Sequence, residues 1–289
     1  GSYRPIRTRK VDFLSLPEFD YSRSRLIDDG WGYDYDRVVA YVKDPELFVV
    51  FDIFKSRTDE FFTLANLWHT RKIYAQGEHW YDTGYDVIGQ QAQPDAKRLL
   101  VLFPSTHFRL EGVESQKRNY QDELTIHQTA AHHFEQGHTE GFVTVLVPHA
   151  KDVDPATLAS RIRIVDTVPE RAGLAVTIEA GTRRITVAAK QDLRLDIARD
   201  YRRPRYTFEK GRITYGPLTT DGDFLFASQD GGALSYTAVN MTRAQFGDQV
   251  LFQSGQSFHG LQFDGTSDPG GIDKVRYWRD TVQVPTRGR

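Results

Sequence analysis

The sequence of 289 residues predicts an all-β protein in which antiparallel sheets stack face to face as a β-sandwich. Apolar and polar residues alternate with period two through most of the chain, and β-branched and aromatic residues dominate these segments. Turn signals separate the segments at intervals of roughly ten residues. Helical stretches are scarce, so we expect fewer than about a sixth of the residues in helices. An alternative compatible with the same sequence adds a smaller β lobe near the C-terminal end.

Strands are predicted first in the N-terminal half. Residues 38–43 and 47–54 flank the turn signal Asp44-Pro45-Glu46 and predict a hairpin, which residues 61–71 continue as a third strand. The further strands predicted in this half are residues 98–104, 108–113 and 141–148. A single short helical turn is the interpretation of residues 129–137.

The C-terminal half contains the clearest hairpins. Residues 174–189 alternate on both sides of Ala180-Gly181-Thr182, and residues 223–240 do so around Asp230-Gly231-Gly232. Strands at 249–254 and 275–284 follow. Asp154 as N-cap and Pro155 at the first helical position predict a helix of about two turns over 155–162. We expect one β-sandwich domain over 1–289, with boundaries near 150–160 or 200–220 as the alternatives.

Composition excludes several classes of protein. The formal net charge is −2, so attraction of the whole molecule to nucleic acid or to an acidic membrane is not expected. No run of about 18 apolar residues is present, and the sequence predicts no membrane span. The absence of cysteine excludes disulfides and thiolate metal sites. Gly1-Ser2 resembles a cloning remnant, and we expect a piece of a longer protein whose signal segment lies upstream.

Few residues have the spacing of a known metal or catalytic motif. The histidines of residues 127–138 (His127, His132, His133 and His138) match neither a helical HExxH motif nor a paired finger, and no carboxylate is set at a characteristic distance. A solvated loop is the favoured interpretation, and we predict neither a metal nor a cofactor. Residues 263–273 resemble a calcium loop but lack its closing glutamate. Nucleophile elbows, P-loops and dinucleotide fingerprints are absent.

Residues 64–83 contain many aromatic rings and positively charged side chains. Neighbouring residues of a strand face opposite ways, so we assign Trp68 to the core and turn His69 and Arg71 to the other face. Gly77 is the expected turn, after which the strand returns close to His69 and Arg71. Such a surface suits an acidic sugar; the alternative is a strand whose histidine is structural. The candidate substrate-binding residues are His69, Arg71, Tyr74, His79, Trp80 and Tyr81.

Two basic clusters place arginines beside tyrosines, at residues 3–10 and 198–206. Planar guanidinium groups pair with uronate or sulfate while a sugar ring stacks on tyrosine. The alternative is a pair of solvated loop ends. Nucleic acid could use the same chemistry, but a net negative chain without a sustained basic face argues against it.

One segment has a familiar order of motifs. Gly32-Tyr33-x-x-Asp36-Arg37 opens a strand, Lys43-Asp44-Pro45-Glu46 forms a turn, an apolar strand closes on Asp52, and an aromatic strand ends in Trp68-His69. This order resembles the C-terminal β-sandwich of heparinase II/III-like polysaccharide lyases, over about residues 15–75. Such lyases are similar in placing an N-terminal α/α toroid before the sandwich. They cleave uronate-containing polysaccharides by β-elimination, which needs a neutralised carboxylate, a base and an acid.

The resemblance leaves the catalytic residues unknown. The toroid, the early sandwich strands with their His-x-His motif, and the Asn-Thr-Val-x-Val-Asp-Gly stretch of the family are missing from this sequence. We therefore carry over no catalytic residue and expect the isolated chain to be inactive. The resemblance implies an acidic polysaccharide and the missing toroid domain as partners, and a periplasmic or secreted protein. The alternative is a non-catalytic carbohydrate-binding or scaffolding module.

Overall fold

The computed structural model describes residues 7–27, 32–84, 87–88, 91–92, 97–104, 109–118, 121–197, 204–207, 211–254 and 277–285. In this structure, 72% of the residues lie in strands and 2% in helices, which confirms the predicted all-β class. Within these residues, no helix has the length and apolar character needed to cross a bilayer.

The elements of the first half end with two long strands that belong to different sheets. They are β1 (Arg7–Ser15), β2 (Phe19–Ile27), β3 (Tyr33–Lys43), β4 (Glu46–Ser56), β5 (Glu60–Thr70), β6 (Lys72–Gly77), β7 (Trp80–Gly84), β8 (Val87–Ile88), β9 (Gln91–Ala92), β10 (Arg98–Leu102), β11 (Leu110–Arg118), β12 (Gln121–Phe134) and β13 (Thr139–His149).

The second half begins with a short helix. Its elements are α1 (Pro155–Ala159), β14 (Ile162–Ile164), β15 (Thr167–Val168), β16 (Gly173–Ala180), β17 (Arg183–Lys190), β18 (Arg194–Ile197), β19 (Pro204–Thr207), β20 (Ile213–Tyr215), β21 (Leu218–Thr220), β22 (Phe224–Asp230), β23 (Ala233–Val239), β24 (Arg243–Phe246), β25 (Gln249–Gln253) and β26 (Tyr277–Gln283). The predicted hairpins β3–β4, β16–β17 and β22–β23 are confirmed.

Four antiparallel sheets contain nearly all of these strands. The eight-stranded sheet has the order β1-β2-β3-β4-β13-β10-β7-β6, and the three-stranded sheet has the order β11-β12-β5. The six-stranded sheet has the order β14-β16-β17-β22-β23-β26, and the five-stranded sheet has the order β15-β20-β21-β24-β25. Two small ribbons pair β8 with β9 and β18 with β19.

The main core lies between the eight-stranded and six-stranded sheets. Phe51 and Val145 of the first sheet and Val176 and Val187 of the second belong to one buried cluster. Every second residue of these strands points into this layer, as the pleat of a strand requires. The alternation seen in the sequence therefore corresponds to a sandwich whose two large sheets share one apolar interior.

The outer faces of both large sheets are covered as well. Tyr215 of the five-stranded sheet packs with Tyr236 of the six-stranded sheet in a second buried cluster. Ile126 of the three-stranded sheet packs with Tyr81 and Phe103 on the eight-stranded side in a third. The layers therefore follow the order three-, eight-, six- and five-stranded, so that part of each large sheet is buried on both faces.

Two local predictions are wrong and one is confirmed. The strand predicted at 61–71 does not continue the β3–β4 hairpin, because β5 leaves for the three-stranded sheet and pairs with β12. Residues 129–134 of the helical turn predicted at 129–137 are strand instead, because Ile126, Gln128 and Ala130 are buried at the two-residue spacing of β12. The helix capped by Asp154 is confirmed, with Pro155 as its first residue.

The residues that carry the family resemblance hold the sheets together. Asp36 accepts charge-assisted hydrogen bonds from arginines of the neighbouring strand β2. Arg37 Nε donates to Asp52 Oδ1 at 2.6 Å across the β3–β4 hairpin. Trp68 Nε1 donates to Thr144 Oγ1 at 3.1 Å and so links the three- and eight-stranded sheets. These residues therefore stabilise the sheets and do not form a common binding surface.

Candidate functional site

The six residues predicted to bind substrate do not form one patch. Strand β5, which carries His69, belongs to the three-stranded sheet, whereas the β6–β7 hairpin belongs to the eight-stranded sheet. The hairpin register sets Trp80 opposite Gly77, at the end of β6 that is remote from Arg71. Six residues of extended chain span about 20 Å. The expectation that residues 78–81 return close to His69 and Arg71 is therefore wrong.

His69 is exposed on the outer face of the three-stranded sheet. Its Nδ1 lies 3.1 Å from the hydroxyl of Thr125 and 3.9 Å from a carboxylate oxygen of Glu123. Trp68, its neighbour, points the other way and packs against the third buried cluster, as predicted. His69 therefore has the orientation expected from the sequence, although its predicted companions lie elsewhere.

Tyr74 is covered by cations of the protein itself. The guanidinium carbon of Arg98 lies 3.9 Å from the centre of its ring, and Lys72 Nζ lies 4.6 Å from the same point. Arg98 is held in turn by Asp82, with 2.9 Å between Nη1 and Oδ2. A sugar would have to displace these cations before it could stack on the ring.

His79, Trp80 and Tyr81 mainly connect layers. His79 adopts a positive φ of 62° at the hairpin turn, and its Nδ1 lies 2.9 Å from Oε1 of Glu111 in the three-stranded sheet. Trp80 packs against the main core. Tyr81 is buried, and burial followed by the charge of Glu111 raises the pKa of its phenol. These contacts are those of structural residues.

A cleft opens where the five-stranded sheet stops covering the six-stranded sheet. It measures about 500 Å³. Along β17, Val187 points into the main core, whereas Arg184 and Thr186 line the cleft. Arg161 and Arg163, before and within β14, lie at its exposed side. Strand alternation therefore delivers three arginines to one opening.

The charges in this cleft are not balanced. Arg184 Nε donates to Glu179 Oε1 at 2.8 Å, which neutralises one arginine. Among the described residues, no carboxylate pairs with Arg161 or Arg163. The sequence contained a signal for this site, because Arg161 and Arg163 alternate with the apolar Ile162 of β14 and so share one face. Unlike the basic clusters at 3–10 and 198–206, this pair has no tyrosine beside it in the sequence, so it was not predicted as a binding site.

A second group of chemically active side chains lies at the β12–β13 turn. The four histidines of 127–138 do not form the predicted solvated loop, since three of them lie in β12 and His138 lies in the turn. The pleat of β12 turns His132 towards His138, while His127 and His133 face the other way. The carboxylate that the spacing failed to reveal is Glu140, at the start of β13.

Arginines surround this second group. Arg171 Nη1 donates to His138 Nε2 at 2.9 Å, and Arg109 pairs with the buried carboxylate of Glu140. Burial, followed by the charge of Arg171, lowers the pKa of the His138 imidazole, so the ring is neutral at pH 7. Arg171 itself has a positive φ of 60°, an uncommon conformation for a residue with a side chain.

Some predicted sites lie outside the described residues. The loop at 263–273 does so entirely, as do half of the basic cluster at 3–10 and most of the cluster at 198–206. Their role in binding an acidic glycan stays a prediction.

Comparison with known proteins gives a partial likeness. No family model and no curated protein matches the chain. It is similar to a mutant of heparan sulfate lyase HepC from Pedobacter heparinus, at 14% identity and a TM-score of 0.46 over 64% of this chain and 28% of that one. A second HepC structure from the same organism is similar at 14% identity and a TM-score of 0.43, over 60% of this chain and 26% of that one. The chain thus spans about a quarter of the length of these structures.

Proposed function

We propose that this chain is the C-terminal β-sandwich domain of a polysaccharide lyase and that it binds uronate-containing glycan in the arginine-lined cleft. The observation that carries the binding proposal is the pair Arg161 and Arg163, which have no carboxylate partner among the described residues at the mouth of a cleft of about 500 Å³. An anionic ligand that supplies carboxylate or sulfate groups would balance these charges.

The remaining walls of the cleft suit a sugar chain. Thr177 and Thr186 offer hydroxyl groups from the six-stranded sheet, and Phe246 and Pro217 offer apolar surface from the opposite side. Sugars combine hydroxyl groups with apolar C–H faces, and sites that bind them pair rings with polar groups in this manner. The two arginines then provide selectivity for acidic sugars over neutral ones.

Elimination is assigned to the full-length protein. The support for a lyase is the order of motifs over residues 15–75, and these residues stabilise the sheets. We propose that the missing toroid supplies the base and the acid, and that this chain holds the polysaccharide next to it outside the cytoplasm. The alternative, a non-catalytic carbohydrate module, shares the binding cleft and differs only in what the upstream part of the protein does.

The binding proposal is tested by calorimetric titration with a uronate oligosaccharide and with a neutral oligosaccharide of equal length. Replacing both Arg161 and Arg163 by alanine should weaken uronate binding by about 1.5–3 kcal/mol for each charge-assisted bond lost. Added salt should weaken binding by the wild-type chain in the same direction. Neutral oligosaccharide should bind no better than the double variant binds uronate.

Arg183→Ala is the matched control for this experiment. Arg183 precedes Arg184 in β17 but pairs with Asp44, at 2.7 Å between Nη2 and Oδ2, and does not line the cleft. Its loss should leave binding unchanged. Arg71→Ala tests the surface predicted at 64–83 in the same assay. If Arg71→Ala abolishes uronate binding and the Arg161/Arg163 double variant retains it, the binding site lies on the surface at 64–83.

A separate assay distinguishes the lyase from the carbohydrate module. Cleavage by elimination leaves an unsaturated uronate, which absorbs in the ultraviolet. The isolated chain should form none of this product, and the protein with its upstream region should form it. A full-length protein that binds uronate glycan without producing the unsaturated sugar would support the module.

A further inference from the structure

Three metal-ligating side chains converge where β12 of the three-stranded sheet turns into β13 of the eight-stranded sheet. One ligand atom from each of His132, His138 and Glu140 lies within 4.8 Å of the other two. We propose that these side chains bind a divalent transition-metal ion, with Zn²⁺ as the first candidate. Two imidazoles and one carboxylate are a ligand set that zinc uses in proteins when a fourth position stays open.

His132 has the orientation that a metal ligand needs. Its Nδ1 lies 3.0 Å from the carbonyl oxygen of His133, and since a carbonyl only accepts, Nδ1 carries the proton. In the neutral ring, the lone pair of Nε2 then faces Glu140 Oε2, which is 3.4 Å away. Two facing lone pairs repel, and a cation between them removes the repulsion. Histidine ligands commonly donate their second nitrogen to a carbonyl in this way.

His138 offers a second lone pair. Its Nε2 accepts a hydrogen bond from Arg171 Nη1 at 2.9 Å, so this nitrogen is unprotonated and has a lone pair that could bind a metal ion. The side chain of Arg171 is 40% exposed, and a metal ion at Nε2 would displace it into solvent. Phe134 supports both imidazoles, with its ring 3.9 Å from that of His132 and 5.1 Å from that of His138.

Glu140 supplies the anionic ligand. Its side chain is buried and accepts a hydrogen bond from Arg109 through Oε1, which leaves Oε2 directed at His132. A tetrahedral zinc ion with bonds of about 2.0 Å sets its ligands about 3.3 Å apart. His132 and Glu140 already have nearly this spacing, and His138 has to approach by about 1.5 Å at most.

An open coordination position would face a cavity. Glu140 and Arg171 also line a second cleft, of about 310 Å³, between the start of β13 and the segment that joins β14 to β16. We therefore expect the open coordination position on the Glu140 side of the site, towards this cleft. The site differs from the arginine-lined cleft, so the proposal does not depend on glycan binding.

A proton is the competing explanation for the geometry of His132. Protonated His132 would form an ion pair with Glu140 and would assign no role to His138. The two explanations differ in whether His138 contributes and in whether an added metal ion binds with a stoichiometry of one.

The test uses the whole chain, stripped with a chelator and titrated with Zn²⁺ in a calorimeter. One Zn²⁺ should bind per chain. His132→Ala and His138→Ala should each weaken binding by about 100-fold or more, because loss of groups that only orient ligands already costs 10–100-fold. His133→Ala is the matched control, since His133 neighbours His132 in β12 but is exposed on the opposite face. Its affinity should equal that of the wild type.

Co²⁺ supplies a second readout that is independent of heat. Bound by two imidazoles and a carboxylate, it should give the visible absorption of a tetrahedral site, and His138→Ala should abolish it. The proposal is overturned if Zn²⁺ fails to bind stoichiometrically, or if either histidine variant binds as tightly as the wild type. An equal loss in His133→Ala would also overturn it, because adjacent surface histidines would then be chelating the ion. Circular dichroism of each variant establishes that the fold is retained.

Discussion

A single carboxylate, Asp36, pairs with two buried arginines. Arg23 and Arg25 are both buried, and each donates to Asp36, at 2.8 Å from Arg23 Nε and 2.5 Å from Arg25 Nε. Arg23 Nη1 also donates to the carbonyl oxygen of Lys190 in the six-stranded sheet at 2.8 Å. Removing one member of such a buried group leaves charge without compensation in the interior. Arg23 therefore links the eight-stranded sheet to the six-stranded sheet through charge-assisted hydrogen bonds.

We expect Asp36→Asn to lower the free energy of unfolding by about 3–5 kcal/mol, because two guanidinium groups lose their counter-ion. Denaturant titration at pH 7 measures the change. Asp20→Asn is the control, since Asp20 pairs with Lys43 at 2.8 Å but is about a third exposed. Its loss should cost no more than about 1 kcal/mol. Equal losses in the two variants would contradict this account of the buried group.

The same group predicts how stability depends on pH. Burial would raise the pKa of Asp36, but the charges of Arg23 and Arg25 outweigh it and hold the pKa below the usual 3.8. This contribution is complete above the unfolded pKa and is lost as pH falls through the lower folded pKa. Burial raises the pKa of Asp223, which acts in the opposite sense. The difference in stability between wild type and Asp36→Asn should therefore shrink below pH 3.8.

At the scale of elements, the β6–β7 hairpin shows why an aromatic residue in a segment rich in aromatic rings need not belong to a binding surface. His79 turns the chain in a left-handed conformation, and the indole of Trp80 lies over Gly77. A methyl group at Gly77 would lie 2.4 Å from the indole ring. Residue 77 is therefore glycine because the Trp80 indole packs closely against its backbone. Trp80 lies between this backbone and the main core.

We expect Gly77→Ala to destabilise the protein by about 1–3 kcal/mol, the usual cost of forcing a packed side chain to move. Gly84→Ala, in the same hairpin, is the control, because a methyl group there meets its nearest atom at 3.5 Å. It should change stability by no more than about 0.5 kcal/mol. An unchanged melting temperature for Gly77→Ala would show that the indole moves freely, as a sugar-stacking residue would.

The sequence predicts elements better than their partners. Alternation identifies the β16–β17 hairpin, because both strands are adjacent in the chain and share a tight turn. It cannot reveal that β5 pairs with β12, since period two specifies which face of a strand is buried and leaves the neighbouring strand open. The same limit applies to the sites. Glu140 lies near His132 because the turn from β12 to β13 connects two different sheets. Arg163 and Arg184 line one cleft although β16 lies between their strands.

At the scale of the whole molecule, the two large sheets are joined by aromatic residues distant in sequence. Phe224 of β22 stacks on Tyr21 of β2 at 4.0 Å between ring centres, and its ring lies 5.7 Å from that of Phe19. Phe226 stacks on Phe19 at 4.4 Å. These contacts join the beginning of the described chain to its C-terminal half, so that the main core depends on both.

This arrangement predicts that the main core is the most sensitive part of the fold. Phe224 is 1% exposed, and Phe224→Ala should lower the free energy of unfolding by about 3–5 kcal/mol through lost burial and the cavity left behind. Phe61, on the outer face of the three-stranded sheet, is 65% exposed, and Phe61→Ala should change stability by no more than about 0.5 kcal/mol. Denaturant unfolding, followed by circular dichroism and tryptophan fluorescence, measures both. If Phe224→Ala costs as little as Phe61→Ala, the two large sheets do not share a core, because a shared interior cannot lose a stacked ring without a cavity.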